Sequence, residues 1–233
     1  MIQNRRFALA FRLTAFLFAA VGLMKQVGIF DGKISFHSFM YYTIQSNLLA
    51  IVLFAMLAIR TARSLQEGTR GTAGWYIRFE MVCVVNVLVT FIVFWSLLAA
   101  TLGIEYLVSF ENLAVHAITP LLCLADYILF SEAKRLKYRD TYFTCIFPLF
   151  YVLFTTIAGL AGYVYYYVAT FENVWDASPA TSVPVRFPYF FLDFDRIGIM
   201  AFAYIAGILA FIILLGHGLY AIDRKVRKNR KQL

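Results

Sequence analysis

The chain has 233 residues, of which 62% are hydrophobic and 15% charged, and its mean hydropathy is +0.74. A soluble domain carries about 25% charged residues, so this composition excludes an ordinary water-soluble domain and marks an integral membrane protein. The net charge of +8 does not point to nucleic acid, because the Lys and Arg fall in short connections and a basic tail, with no stacking platform or binding motif beside them.

A helix crosses the hydrocarbon core in about 20 predominantly apolar residues. Six segments qualify, at roughly 7–24, 40–59, 80–101, 113–130, 142–167 and 197–221. The expected fold is all-α: one polytopic bundle of six transmembrane helices over 1–222, followed by a basic tail at 223–233. The first segment has the basic start of a signal peptide, but Arg12 interrupts it and no convincing Ala-x-Ala cleavage site comes before Lys25, so it reads as a span. One set of connections receives Arg5, Arg6, Arg60, Arg63, Arg70, Lys134, Arg135, Lys137, Arg139 and the tail. The other receives only Lys25, Lys33, Arg186 and Arg196 beside more carboxylates. This asymmetry places both termini in the cytoplasm, with the polybasic tail against anionic headgroups. The connection at 168–196 is the longest and carries Pro179, Pro184 and Pro188. Its aromatic and acidic end, Phe187 to Arg196, reads either as a lid over the outer mouth or as an aromatic belt anchoring the sixth helix.

Two polar islands interrupt the apolar runs, Thr43-Ile-Gln-Ser46-Asn47 and Glu111-Asn112 to His116 and Pro120. Helices two and four both enter from the outer side, which sets Thr43 and His116 at one depth. Thr43, Ser46 and Asn47 share one helix face, as do Asn112 and His116. Polar stripes on lipid-spanning helices turn inward, where partners exist. Pro120 has no N–H to offer the His116 carbonyl four residues earlier. A hydroxyl becomes a nucleophile when a neighbouring base takes its proton, and neutral imidazole suits that task near neutral pH. Thr43 and His116 are therefore the candidate catalytic pair, with Gln45, Asn47 or Asn112 as oxyanion donors. From spacing alone the signal is weak, since Thr in membrane helices commonly bonds its own backbone and a lone His is often an interhelical hydrogen bonder.

Other ionisable groups read as structural. Asp126 lies about 15 Å further along helix four than His116 at 1.5 Å per residue, level with Arg12, so the two are expected to form an ion pair. A proton-relay carboxylate is the alternative for Asp126. Asn86 and Thr90 form an i, i+4 pair expected to join helices. Asp193 and Asp195 read either as solvated interfacial acids or as orienting acids for His116. The histidines His37, His116 and His217 fall at different depths, and no ligand cluster accompanies them, so no metal, haem or other cofactor is expected. Cys83, Cys123 and Cys145 lie in apolar runs and read as small hydrophobes.

The segments Tyr42-Thr43-Ile-Gln-Ser46-Asn47-Leu-Leu, His116-Ala-Ile-Thr-Pro120-Leu-Leu-Cys-Leu-Ala-Asp126-Tyr and Phe187-Pro188-Tyr-Phe-Phe-Leu-Asp193 resemble a largely uncharacterised family of bacterial six-span membrane proteins. More distantly they resemble the eukaryotic androgen-induced and androgen-dependent hydrolases of fatty acid esters of hydroxy fatty acids. That resemblance implies a Thr nucleophile at Thr43, a catalytic His at His116 and a lipid ester as substrate. The competing expectation is a lipid-binding or transport protein whose polar stripes line a path. The absence of an internal repeat and the off-centre polar groups weigh against it.

Overall fold

The computed structural model describes residues 4–68, 74–130, 136–170 and 181–229. Arg70, Lys134, Arg135, Pro179 and the end of the tail lie outside them. Six helices are long and apolar enough to cross a membrane: α1 (Arg5–Gln26), α2 (Tyr42–Gln66), α3 (Ile77–Leu98), α4 (Phe110–Phe130), α5 (Tyr138–Leu160) and α6 (Met200–Asn229). The protein is thus an all-α, multi-pass membrane protein, and a single two-stranded hairpin is its only sheet among the described residues.

Helix ends follow local chemistry. Asn4 caps α1 by accepting the Phe7 N–H, and Ser109 caps α4 by accepting the Asn112 N–H, the service that short polar side chains give to orphan first-turn donors. The Ser109 cap starts α4 at Phe110, three residues before the expected 113. The fifth span ends at Leu160 rather than 167. Gly162 adopts φ +89° there, and the Tyr163 N–H returns to the Ala158 carbonyl at 2.9 Å, a Schellman-type stop. The aromatic run beyond it supplies β1 (Tyr166–Thr170), paired antiparallel with β2 (Thr181–Val185) in the register Tyr166 to Val185. The sixth helix starts at Met200 rather than 197, after Gly198 at φ +52°, and continues to Asn229 into the segment expected as tail.

The chain divides into two compact units, residues 1–146 with 212–233 and residues 147–211. In the first, α1 packs on α2 and α4, α2 on α3, and α3 on α4 and on the 3-10 opening of α5 (Tyr138–Cys145). The faces of α1 explain its place. Ala8, Arg12, Ala15 and Ala19 are almost fully buried, while Leu13, Leu17 and Val21 are exposed, so a small-residue face meets protein and an apolar stripe meets lipid. At Gly22 the approach to α4 is so close that a Cβ would overlap the Ala114 Cβ. Gly22→Val is expected to destabilise the bundle by about 1–3 kcal/mol, the usual cost of overpacking. Thermal unfolding in detergent, followed by tryptophan fluorescence, measures it.

In the second unit the aromatic and acidic segment folds on itself. Asp195 takes Arg186 in a two-point ion pair at 2.9 and 2.6 Å, and buried Asp193 accepts the Arg196 N–H and pairs with its guanidinium at 3.4 Å. Gly159 of α5 lets the Phe187 ring and the Arg186 carbonyl approach, where a Cβ would stand 2.8 Å from that carbonyl oxygen.

Candidate active site

Thr43 is the second residue of α2, and His116 lies in a five-residue π-helical turn of α4, Ala114–Ile118. Thr43 Oγ1 and His116 Nε2 are 3.3 Å apart. The other ring nitrogen, Nδ1, lies 3.2 Å from the Asn112 carbonyl. A carbonyl only accepts, so Nδ1 carries the proton, and Nε2 of the neutral ring is left to accept from the Thr43 hydroxyl. That tautomer is the one a general base needs. His116 is 6% exposed, and Thr43 is half-buried.

The π turn explains why polar side chains gather here. In a regular helix the Thr119 N–H would bond the Val115 carbonyl, but here it goes to Ala114, and Pro120 has no N–H for the His116 carbonyl. Both carbonyls are met from neighbouring helices. Asn47 Nδ2 donates to the Val115 oxygen at 3.0 Å, and the Trp95 indole N–H donates to the His116 oxygen at 3.1 Å. Phe94 stacks on the His116 ring, with centroids 3.7 Å apart and planes inclined by 19°. Phe94 and Trp95 belong to a second π turn, Phe94–Leu98, at the end of α3. Such turns mark functional sites often enough to be informative.

The three side chains expected as oxyanion donors are committed elsewhere. Gln45 Nε2 donates to the Phe39 carbonyl at 2.9 Å, Asn112 Nδ2 to Leu107 at 3.0 Å, and Asn47 Nδ2 to both Thr43 and Val115. Each ties down a loop or turn, because an unpaired buried backbone carbonyl is costly. The other donors at this end of α2 belong to the main chain. Tyr41 gives α2 no side-chain cap, so the first-turn N–H groups of Thr43 and Ile44 have no intrahelical acceptor. They also bring the positive end of the helix dipole to Thr43. Asp193 and Asp195 hold Arg196 and Arg186 in ion pairs, and at the His116 Nδ1 the Asn112 carbonyl is the partner.

Beside the pair, α2 and α3 are stitched by Ser46 and Thr90 at 2.8 Å and by a hydrogen bond from the Tyr42 hydroxyl to Asn86 Oδ1, while Asn86 Nδ2 reaches the Thr144 carbonyl. Towards the other end of the bundle, Arg12 meets Asp126 through Nε at 2.8 Å and Nη2 at 2.9 Å, and its Nη1 donates to Thr61 Oγ1 at 2.7 Å. Among the described residues no cluster of His, Cys, Asp and Glu could hold a metal ion, and all three cysteines are buried. His37 bonds the Tyr41 hydroxyl, and His217 lies against Tyr138 and Thr141. Comparison with protein family models, curated proteins and solved structures found no match.

Proposed function

We propose that this protein is a membrane-embedded hydrolase of lipid esters, fatty-acyl esters in particular, with Thr43 as nucleophile and His116 as general base. The observation that carries this reading is the 3.3 Å approach of Thr43 Oγ1 to the Nε2 of an imidazole whose Nδ1 proton is engaged by the Asn112 carbonyl. Thr43 Oγ attacks the ester carbonyl carbon as its proton passes to His116 Nε2. The carbonyl oxygen becomes an oxyanion, received by the Thr43 and Ile44 N–H groups at the start of α2. The intermediate collapses, the imidazolium gives its proton to the departing alkoxide, and an acyl-threonine remains. Water, deprotonated by the same imidazole, attacks the acyl carbon. The fatty acid leaves, and the proton returns to Thr43.

A lipid substrate is supported by the setting of the pair inside a multi-pass bundle, and by the resemblance of the segments around Thr43 and His116 to the androgen-induced hydrolases. The charge asymmetry of the connections supports cytoplasmic termini, with the site towards the outer leaflet and the basic tail on anionic headgroups, and the resemblance to bacterial six-span proteins supports a bacterial inner membrane. A serine/threonine-directed fluorophosphonate tests the nucleophile. Wild type is expected to label, His116→Ala at least about tenfold more slowly, and Thr43→Ala not at all. Undiminished labelling of Thr43→Ala would overturn the assignment.

A further inference from the structure

The Phe94–Trp95 pair touches His116 at two points, its ring and its main chain. Phe94 covers one face of the imidazole, and the adjacent indole holds the carbonyl of the same residue. The two rings of the pair brace each other edge to face at 5.3 Å. Phe94 is 4% exposed, so its ring has little room to move. The carbonyl held by Trp95 is the one Pro120 leaves without an amide partner. The imidazole is thus fixed by three contacts of different kind: the Nδ1–H bond to Asn112, the stack on Phe94 and the tether of its own backbone to Trp95.

We propose that Phe94 and Trp95 are positioning residues that hold His116 in the orientation and tautomer required for proton transfer from Thr43, with Trp95 acting as the amide that Pro120 lacks. This rests on the hydrolase reading for its purpose, but the geometry it asserts is independent of activity. Without the indole bond, the His116 carbonyl seeks another donor, the π turn relaxes, and Nε2 drifts from Thr43. A misplacement of about 1 Å in a reacting group costs on the order of a hundredfold in rate. Without Phe94, the ring turns about its side-chain torsions and the Nδ1 and Nε2 tautomers mix.

The relation between Trp95 and Pro120 supplies a test that simple packing does not mimic. An alanine at 120 restores a backbone N–H four residues after His116, so Pro120→Ala makes the indole bond dispensable. The measurement is nitrogen NMR of full-length protein labelled with 15N-histidine in detergent micelles, with His37→Gln and His217→Gln so that His116 alone reports. The background protein is expected to show one tautomer, protonated at Nδ1. Trp95→Phe and Phe94→Leu are each expected to give a mixture. Trp95→Phe with Pro120→Ala is expected to return to one tautomer, with fluorophosphonate labelling of Thr43 falling and recovering in parallel by at least tenfold. An unchanged tautomer in both Trp95→Phe and Phe94→Leu overturns the proposal, as does a Pro120→Ala background in which the Trp95→Phe effect persists in full. Should Trp95→Phe not fold, Pro120→Ala alone decides, in protein labelled instead with 15N-tryptophan, through the Trp95 indole nitrogen. Its resonance moves as the bond is released if the proposal holds, and stays unchanged if it does not. Absence of labelling in wild type would remove the hydrolase reading, while the tautomer spectra would still decide the positioning role.

Discussion

Arg12→Met and Asp126→Leu are each expected to destabilise the protein by about 3–5 kcal/mol, and the double replacement by far less than their sum. The pair sits inside the bundle, with side-chain exposures of 0% and 2%. Its two parallel hydrogen bonds use the planar match between guanidinium and carboxylate, while Thr61 receives a third guanidinium N–H and passes its own proton to the Leu57 carbonyl at 2.6 Å. Removing one partner leaves the other charge in a low-dielectric interior without its ion-pair mate, which is the expensive outcome. Removing both leaves apolar side chains and the Thr61 hydroxyl, which already has its backbone acceptor. Unfolding by a denaturing detergent in mixed micelles, run as a double-mutant cycle, gives the coupling. Single-site costs that simply add would rule out a direct interaction.

His116→Ala is expected to lower hydrolysis of a fatty-acyl ester in nanodiscs by about 10²–10⁴-fold, the usual worth of a positioned general base. Thr43→Val, which keeps the volume and branching of the side chain while deleting the hydroxyl, is expected to abolish turnover. Thr43→Ser keeps the hydroxyl and retains measurable activity. Because Nε2 must be unprotonated to accept from Thr43, the wild-type rate is expected to fall on the acid side as the imidazole takes a second proton. Residual activity in His116→Ala should lose that acid limb. Thr43→Val and wild type hydrolysing at the same rate would place the nucleophile elsewhere.

Much of this arrangement is readable from the chain because membrane physics leaves few options. The six helices follow from apolar runs of spanning length. The facing of Thr43 and His116 follows from the direction of helices two and four, and the Arg12–Asp126 pair from their equal depth. The parts that were not legible have physical reasons too. Phe94 and Trp95 are apolar residues in an apolar span, so hydropathy gives them no contrast. Pro120 is the one signal that could have found Trp95, since it announces a carbonyl in need of a donor. The amides of Gln45, Asn47 and Asn112 look available because a 3.6-residue periodicity reveals neither the Phe39 and Leu107 carbonyls that take the first and last nor the π turn that frees Val115 for Asn47. The end of α5 is blurred by Tyr163 to Tyr167, whose hydropathy continues past the glycine that stops the helix.

The π turn in α4 has a consequence for the whole helix. A π turn houses one residue more than regular winding would, and one residue corresponds to about 100° of rotation at 3.6 residues per turn. Everything after Ile118 is therefore set in phase by that surplus residue, Asp126 included. Shortening Ala114–Ile118 by a single residue would let the ladder close as a plain helix and swing the Asp126 carboxylate about a quarter turn away from Arg12. It would at the same time withdraw the Val115 and His116 carbonyls from Asn47 and Trp95. The His116 end of α4 and its Asp126 end are thus geared together, so that a one-residue slip at either would be felt at both.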